Sequence, residues 1–180
     1  VYINGYIAVA KSDSIIVYNN LFNEIYSISV EADVPPEDLQ TFDGTDLLFI
    51  DGTKLKSISL FDGKVNWVLD RGTSKYRRDV LVLSSNRAIY AYCTNWQNEW
   101  RASLIDQDGT LLADRVTLRE SRYEDYVYLN PFDETHFLYT KTNGTMTVLR
   151  CDSIIGGSIT LLWERQIDRG RGFSIVDTND

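Results

Sequence analysis

Between Asp46 and Asp70 (DLLFIDGTKLKSISLFDGKVNWVLD) the alternation of apolar and polar positions predicts three short strands divided by two tight turns. Leu47 to Ile50 is a continuous apolar run, and the Asp51-Gly52 pair after it reverses a chain readily because glycine takes positive φ without steric penalty. Leu55, Ser57 and Ser59 then alternate with Lys56, Ile58 and Leu60. Asp62-Gly63 makes the second turn, and Val65 to Leu69 follows with Trp67 at its centre. This is the pattern of an antiparallel meander, and the rest of the chain can be laid over it.

Tyr6 to Lys11, Ile15 to Tyr18 and Glu24 to Val30 repeat the same three strands ahead of it. The segment between them carries Pro35-Pro36, which a central strand does not hold because proline lacks the ladder donor, so Leu39 to Phe42 is the one candidate strand there. Beyond the template, Arg71 to Asp79 reads as a polar connector and Val80 to Leu83 as a buried inner strand. Ala88 to Cys93, Trp100 to Ile105 and Thr110 to Leu118 form a third pass. The fourth comprises Tyr126 to Leu129, His136 to Lys141, Thr145 to Arg150 and Ile159 to Ile167, with Asn143-Gly144 as a hairpin turn. Gly172 to Val176 reads as one more strand.

The second strand of each unit begins near Tyr6, Leu47, Ala88 and His136, at spacings of 41, 41 and 48 residues. The outermost begins near Glu24, Val65, Leu111 and Leu161, at spacings of 41, 46 and 50. Four strands repeating every ~40 to 50 residues is the signature of propeller blades. A β-sandwich would account for the strands but not for matching phases in successive units. The expected fold is therefore all-β, a β-propeller or part of one, with about four blades of four-stranded antiparallel meanders over residues 1–32, 39–71, 79–118 and 123–168. Residues 172–177 would form a closing strand or the first of another blade. No segment sustains a 3.6-residue apolar period, so helix should be minimal.

Composition narrows the function classes. Forty-three per cent hydrophobic and 12% aromatic residues are ample for a core. The net charge of −8 is shared by both halves, which argues against tracking a phosphate backbone and hence against a nucleic-acid partner. Cys93 and Cys151 lie in apolar strands without CxxC spacing and read as buried small hydrophobes. No apolar run approaches the ~18 residues of a membrane span. The chain opens at Val1 without a signal-like segment, as in a mature form or an excised piece. It reads as a soluble protein whose compartment the sequence does not assign: the reading leans to the cytoplasm, and the Asn143-Gly144-Thr145 sequon leaves a secretory lumen open.

Gly63-Lys64-Val65-Asn66-Trp67 resembles the Gly-Lys-Val-x-Trp ending of the repeat in quinoprotein-like (PQQ-like) propellers. That resemblance implies a tryptophan packed between neighbouring blades. Gly157 to Trp163 echoes the motif with two extra residues, while the first unit has Tyr26 and the third Ala113 at the tryptophan position. The periodicity is also similar to that of WD-like repeats, although neither a Gly-His nor a Trp-Asp pair stands in register. Trp67 and Trp163 are accordingly expected to be buried packing residues in equivalent places.

The candidate chemistry is sparse. His136 is the single histidine, with no nucleophile-elbow motif to accompany it. Asp106-Gln107-Asp108-Gly109 lacks the later acidic ligands of a calcium loop and reads as a turn. No catalytic, metal or cofactor residue is assigned. Two function classes follow. The first is a non-catalytic propeller that binds other protein chains or further blades, with Tyr76, Arg77, Arg78, Trp96 and Trp100 as interaction candidates because aromatic and arginine side chains dominate binding energy. The second is a small-molecule or carbohydrate-processing enzyme with its site at the central channel.

Overall fold

The computed structural model describes residues 1–31, 39–71, 73–84, 86–94, 99–120, 126–131, 136–142, 147–155 and 158–167. Among these described residues, fifteen strands make four antiparallel sheets in chain order and there is no helix. Blade 1 consists of β1 (Tyr2–Ile3), β2 (Tyr6–Ala10), β3 (Ser14–Asn19) and β4 (Glu24–Ser29). Blade 2 has β5 (Asp46–Asp51), β6 (Lys54–Ser59) and β7 (Val65–Asp70). Blade 3 has β8 (Thr73–Ser84), β9 (Arg87–Thr94), β10 (Glu99–Asp106) and β11 (Leu111–Glu120). Blade 4 has β12 (Tyr126–Pro131), β13 (His136–Thr142), β14 (Thr147–Ile155) and β15 (Ser158–Ile167).

The apolar runs end up in strands with both faces covered, because the sheets stack face to face. Leu47 and Phe49 of β5 join Ala8, Ile15 and Val17 in a core between blades 1 and 2. Leu48 and Ile50 of the same strand join Ala88, Tyr90 and Tyr92 between blades 2 and 3. Ile89, Ala91 and Cys93 face the other way, into a core with Trp100, Leu104 and Leu129. A strand buried on both sides must be apolar throughout, which is why Leu47 to Ile50 shows no alternation. Each such aliphatic or phenyl side chain contributes about 1.5–3 kcal/mol by burial.

Two inner strands differ from expectation. In blade 2, Leu39 to Phe42 supplies only a single bridge, Gln40 with Leu48, because Phe42 N–H turns to the Asp46 carboxylate instead. The Gln40 side chain compensates by reaching across to β8, where its amide nitrogen donates to Val80 O at 2.7 Å and its oxygen accepts from Val82 N at 2.7 Å. In blade 3, the residues read as a polar connector belong to β8 from Thr73 onward. Pairing with β9 jumps from Thr73–Thr94 to Arg78–Tyr92, and this irregularity accommodates the polar residues between.

Strand pairing fixes the equivalence of the units. Val17 pairs with Tyr26, Ser57 with Trp67, Leu104 with Ala113, and Cys151 with Trp163. In all four units the register slips by one residue immediately before the outer-strand member, at Ile25, Asn66, Leu112 and Leu162. The outer-strand spacings read from the sequence are therefore correct. The second-strand phase is not, since Ala8, Leu48, Ile89 and Leu138 are the true equivalents, which makes those spacings 40, 41 and 49. Tyr6 and His136 were one residue out of step with Leu47 and Ala88, and in a strand one residue is a change of face.

Candidate functional site

The turns at one end of the sheets form the seams between blades. After β3 and β10 the chain reverses with the same hydrogen-bond pattern, and after β6 with a version one residue longer. Ser59 N donates to Lys64 O and Gly63 N to Ser59 O in blade 2. Asp106 N donates to Thr110 O and Gly109 N to Asp106 O in blade 3. Asn19 N donates to Asn23 O and Phe22 N to Asn19 O in blade 1. The residue in the left-handed conformation is thus Gly63 (φ +70°), Gly109 (φ +85°) and Phe22 (φ +61°).

Onto each glycine turn leans the outer-strand aromatic of the preceding blade. The Tyr26 ring stands 3.0 Å from where a Cβ of Gly63 would lie, and its hydroxyl donates to Leu60 O at 2.8 Å and Ser59 O at 3.2 Å. Desolvation, then the nearby Asp62 carboxylate and Tyr6, push the Tyr26 phenol up to about 12. The Trp67 indole repeats the contact on Gly109 and donates from Nε1 to Gln107 O at 2.8 Å. This is the inter-blade tryptophan that the Gly-Lys-Val-x-Trp motif implies, although Trp67 is half-buried rather than enclosed. Trp163 occupies the same register position in blade 4, and its side chain lies outside the described residues.

Beside the Trp67 seam opens a cleft of about 640 Å³ lined by Thr45, Asp46, Asn66, Trp67, Asn86, Asp106, Gln107 and Asp108. Its carboxylates are committed to holding the turns. Asp46 accepts from Phe42 N at 3.0 Å and Thr41 Oγ1 at 2.9 Å, and Asp108 accepts from Thr110 N at 2.9 Å. Bonding from Thr110 holds Asp108 below the usual carboxylate range, as bonding from Thr45 does for neighbouring Asp43. Gln107 Nε2 donates to Asp43 Oδ2 at 2.8 Å, tying blade 3 to blade 2. The described residues contain no group of three or more histidine, cysteine, aspartate or glutamate side chains arranged to hold a metal.

Of the interaction candidates, the side chains of Trp100 and Arg78 lie among the described residues. Trp100, which begins β10 opposite Cys93, is 1% exposed in the core facing blade 4, so it is a packing residue; strand alternation, not its proximity to a loop, decides its side. Arg78 is half-buried on β8. Tyr76 and Arg77 lie on the same strand, with side chains outside the described residues, as are Trp96 and the Asn143 sequon entirely. Sequence reasoning missed Leu21 and Phe22, each 74% exposed at the blade 1 turn. The signal was the repeat itself: phenylalanine stands where the other turns have glycine.

A stack of three- and four-stranded antiparallel meanders joined in chain order is the architecture of a β-propeller. No protein-family model and no curated protein sequence matches the chain. Solved structures do match. A Bacteroides caccae protein of unknown function aligns at 15% identity and a TM-score of 0.59, over 89% of this chain and 56% of that one. Kluyveromyces lactis Hsv2p aligns at 12% identity and a TM-score of 0.57, over 92% and 48%. The WD40 β-propeller domain of Doa1 aligns at 14% identity and a TM-score of 0.59, over 93% and 52%. The chain spans about half the length of these solved proteins, and at these identities the likeness shows the fold alone. Among the described residues no helix is long and apolar enough to cross a membrane.

Proposed function

We propose that the chain is a non-catalytic part of a β-propeller that serves as a protein-interaction scaffold within a larger chain or complex. The observation that carries this reading is the pair Leu21 and Phe22, 74% exposed on a turn that is itself rigid. Asn19 Oδ1 accepts from both Leu21 N at 2.9 Å and Asn23 N at 3.0 Å, so the apolar tips are held out without an ordering cost on binding. Large apolar side chains fixed in this way are what a protein partner buries. Tyr76, Arg77, Arg78 and Trp96 remain candidates for a second contact surface. The test is hydroxyl-radical footprinting of the native assembly against the isolated 180 residues. Protection of Leu21 and Phe22 in the assembly supports a scaffold, and equal labelling in both rejects it.

The cleft beside Trp67 favours a second reading, a small polar ligand such as a carbohydrate. An indole flanked by Asn66, Asn86 and Gln107 offers a flat apolar surface beside planar donors and acceptors. A thermal-shift panel of sugars separates the two, since a specific ligand raises Tm and Trp67→Phe would alter the response.

A further inference from the structure

The exposed apolar tip of blade 1 has a neighbour in blade 2. Phe61, in the turn after β6, is 53% exposed and packs edge-on against Tyr6, with ring centroids 5.7 Å apart. Tyr6 pairs with Asn19, the residue whose carboxamide holds the Leu21 turn. Blade 2 thus adds a third large apolar side chain at the end of the sheets that carries Leu21 and Phe22. Phe22 itself keeps φ +61°, and strain of that kind persists where it serves a contact.

The turn bearing Phe61 also leads to the cleft beside Trp67. Its neighbour Leu60 donates from N to the carbonyl of Thr45 at 2.9 Å, and Thr45 lines the cleft. Every charged residue in that lining is an aspartate: Asp46, Asp106 and Asp108. Asp106 Oδ1 accepts from Gln107 N at 2.8 Å and Asp108 Oδ1 from Thr110 N at 2.9 Å, which leaves the Oδ2 of each without a hydrogen bond among the described residues. The nearby cations are not part of the cleft. Lys64 is held by Asp62 at 2.6 Å, and Arg87, opposite Asp106 in the β9–β10 register, stands outside the lining.

An anionic cleft bordered by an indole has a particular complement. A lysine or arginine carries an apolar stem that packs on an aromatic ring and a charged head that reaches a carboxylate. A neutral sugar would leave the repulsion among the three aspartates unrelieved. An anionic membrane surface would accept the apolar tips and be repelled by the cleft.

We infer that the partner covering Leu21 and Phe22 presents a segment that joins apolar residues to a lysine or arginine, with the apolar side chains on Leu21, Phe22 and Phe61 and the cation in the cleft against Trp67. The inference rests on the scaffold reading, names the chemistry of its partner, and gives the cleft to that partner in place of a free sugar.

The test selects a phage-displayed random peptide library on the immobilised full-length polypeptide and measures an enriched peptide by fluorescence anisotropy. Enriched sequences should combine aliphatic or aromatic residues with lysine or arginine. Asp106→Asn and Asp108→Asn keep the Oδ1 acceptors of the turns, so the fold is retained, and each should weaken binding about three- to fivefold. Phe22→Ser should weaken it at least about tenfold. Enrichment of apolar peptides that lack a basic residue and ignore both Asn variants overturns the inference and leaves the scaffold reading intact. So does a neutral sugar that raises Tm of the wild type but not of Trp67→Phe. Peptides whose binding Phe22→Ser leaves unchanged overturn both readings, as does the absence of enrichment beside binding to phosphatidylcholine and phosphatidylserine vesicles.

Discussion

Trp67 lies over the α-carbon of Gly109 in the next blade, so closely that a Cβ built on that glycine would stand 2.7 Å from the indole Cγ. Tyr26 and Gly63 repeat the arrangement one blade earlier. The glycine is needed twice over, for its positive φ and for the space above it. Gly5 separates these requirements, since it has φ +87° and nothing within 4 Å of a Cβ.

Gly5→Ala should therefore cost only the left-handed strain, about 1–2 kcal/mol. Gly109→Ala should cost that plus a further ~1–3 kcal/mol of overpacking against Trp67. Urea denaturation of both variants checks the difference. Equal losses would show that Trp67 moves aside freely and that the seam is loose.

Trp67→Ala removes the packing and the hydrogen bond together and should cost about 3–5 kcal/mol, toward the low end because the indole is half-buried. Trp67→Phe keeps a ring over Gly109 but leaves Gln107 O without its donor, a loss of about 1 kcal/mol beyond the volume change. Chemical denaturation distinguishes the two, and an unchanged midpoint in Trp67→Ala would remove the seam from the account of stability.

Tyr26 makes the first seam sensitive to alkali. Its phenol is raised to about 12, so the folded state holds a proton that the unfolded chain, titrating near ~10, releases. The stabilisation is complete below pH ~10 and is lost as pH rises through about 12. Phenolate absorbance should show a late-titrating component that is lost in Tyr26→Phe. The variant should also lose stability at neutral pH by about 1 kcal/mol, because two carbonyls lose their hydroxyl donor.

Gln40 stands in for strand pairing that blade 2 lacks at its inner edge. Gln40→Ala should cost about 1–3 kcal/mol and leave Val82 N–H without its acceptor. Native-state hydrogen exchange at Val82 should accelerate, with β9 and β10 amides little changed. Uniform acceleration across blade 3 would mean that the variant lowers global stability and that the clamp is not local.

The sequence by itself determined most of the strands and turns and the outer-strand repeat through Tyr26, Trp67, Ala113 and Trp163. These follow from local rules, since alternation, Asp-Gly turns and a recurring aromatic act within a few residues of one another. It could not determine which way a doubly buried strand faces. In a run such as Leu47 to Ile50 every residue is apolar, so nothing in the pattern separates the blade 1 side from the blade 3 side. The phase at Tyr6 slipped by one for that reason, and Trp100 was placed near a surface that strand pairing with Cys93 denies it. Only the tertiary structure decided where the aromatic residues meet glycine, because that contact joins positions some 40 residues apart in different sheets. It likewise revealed Phe22 as an exception, since a lone phenylalanine in a polar turn gains meaning only beside Gly109, which shares its hydrogen bonds and its left-handed conformation.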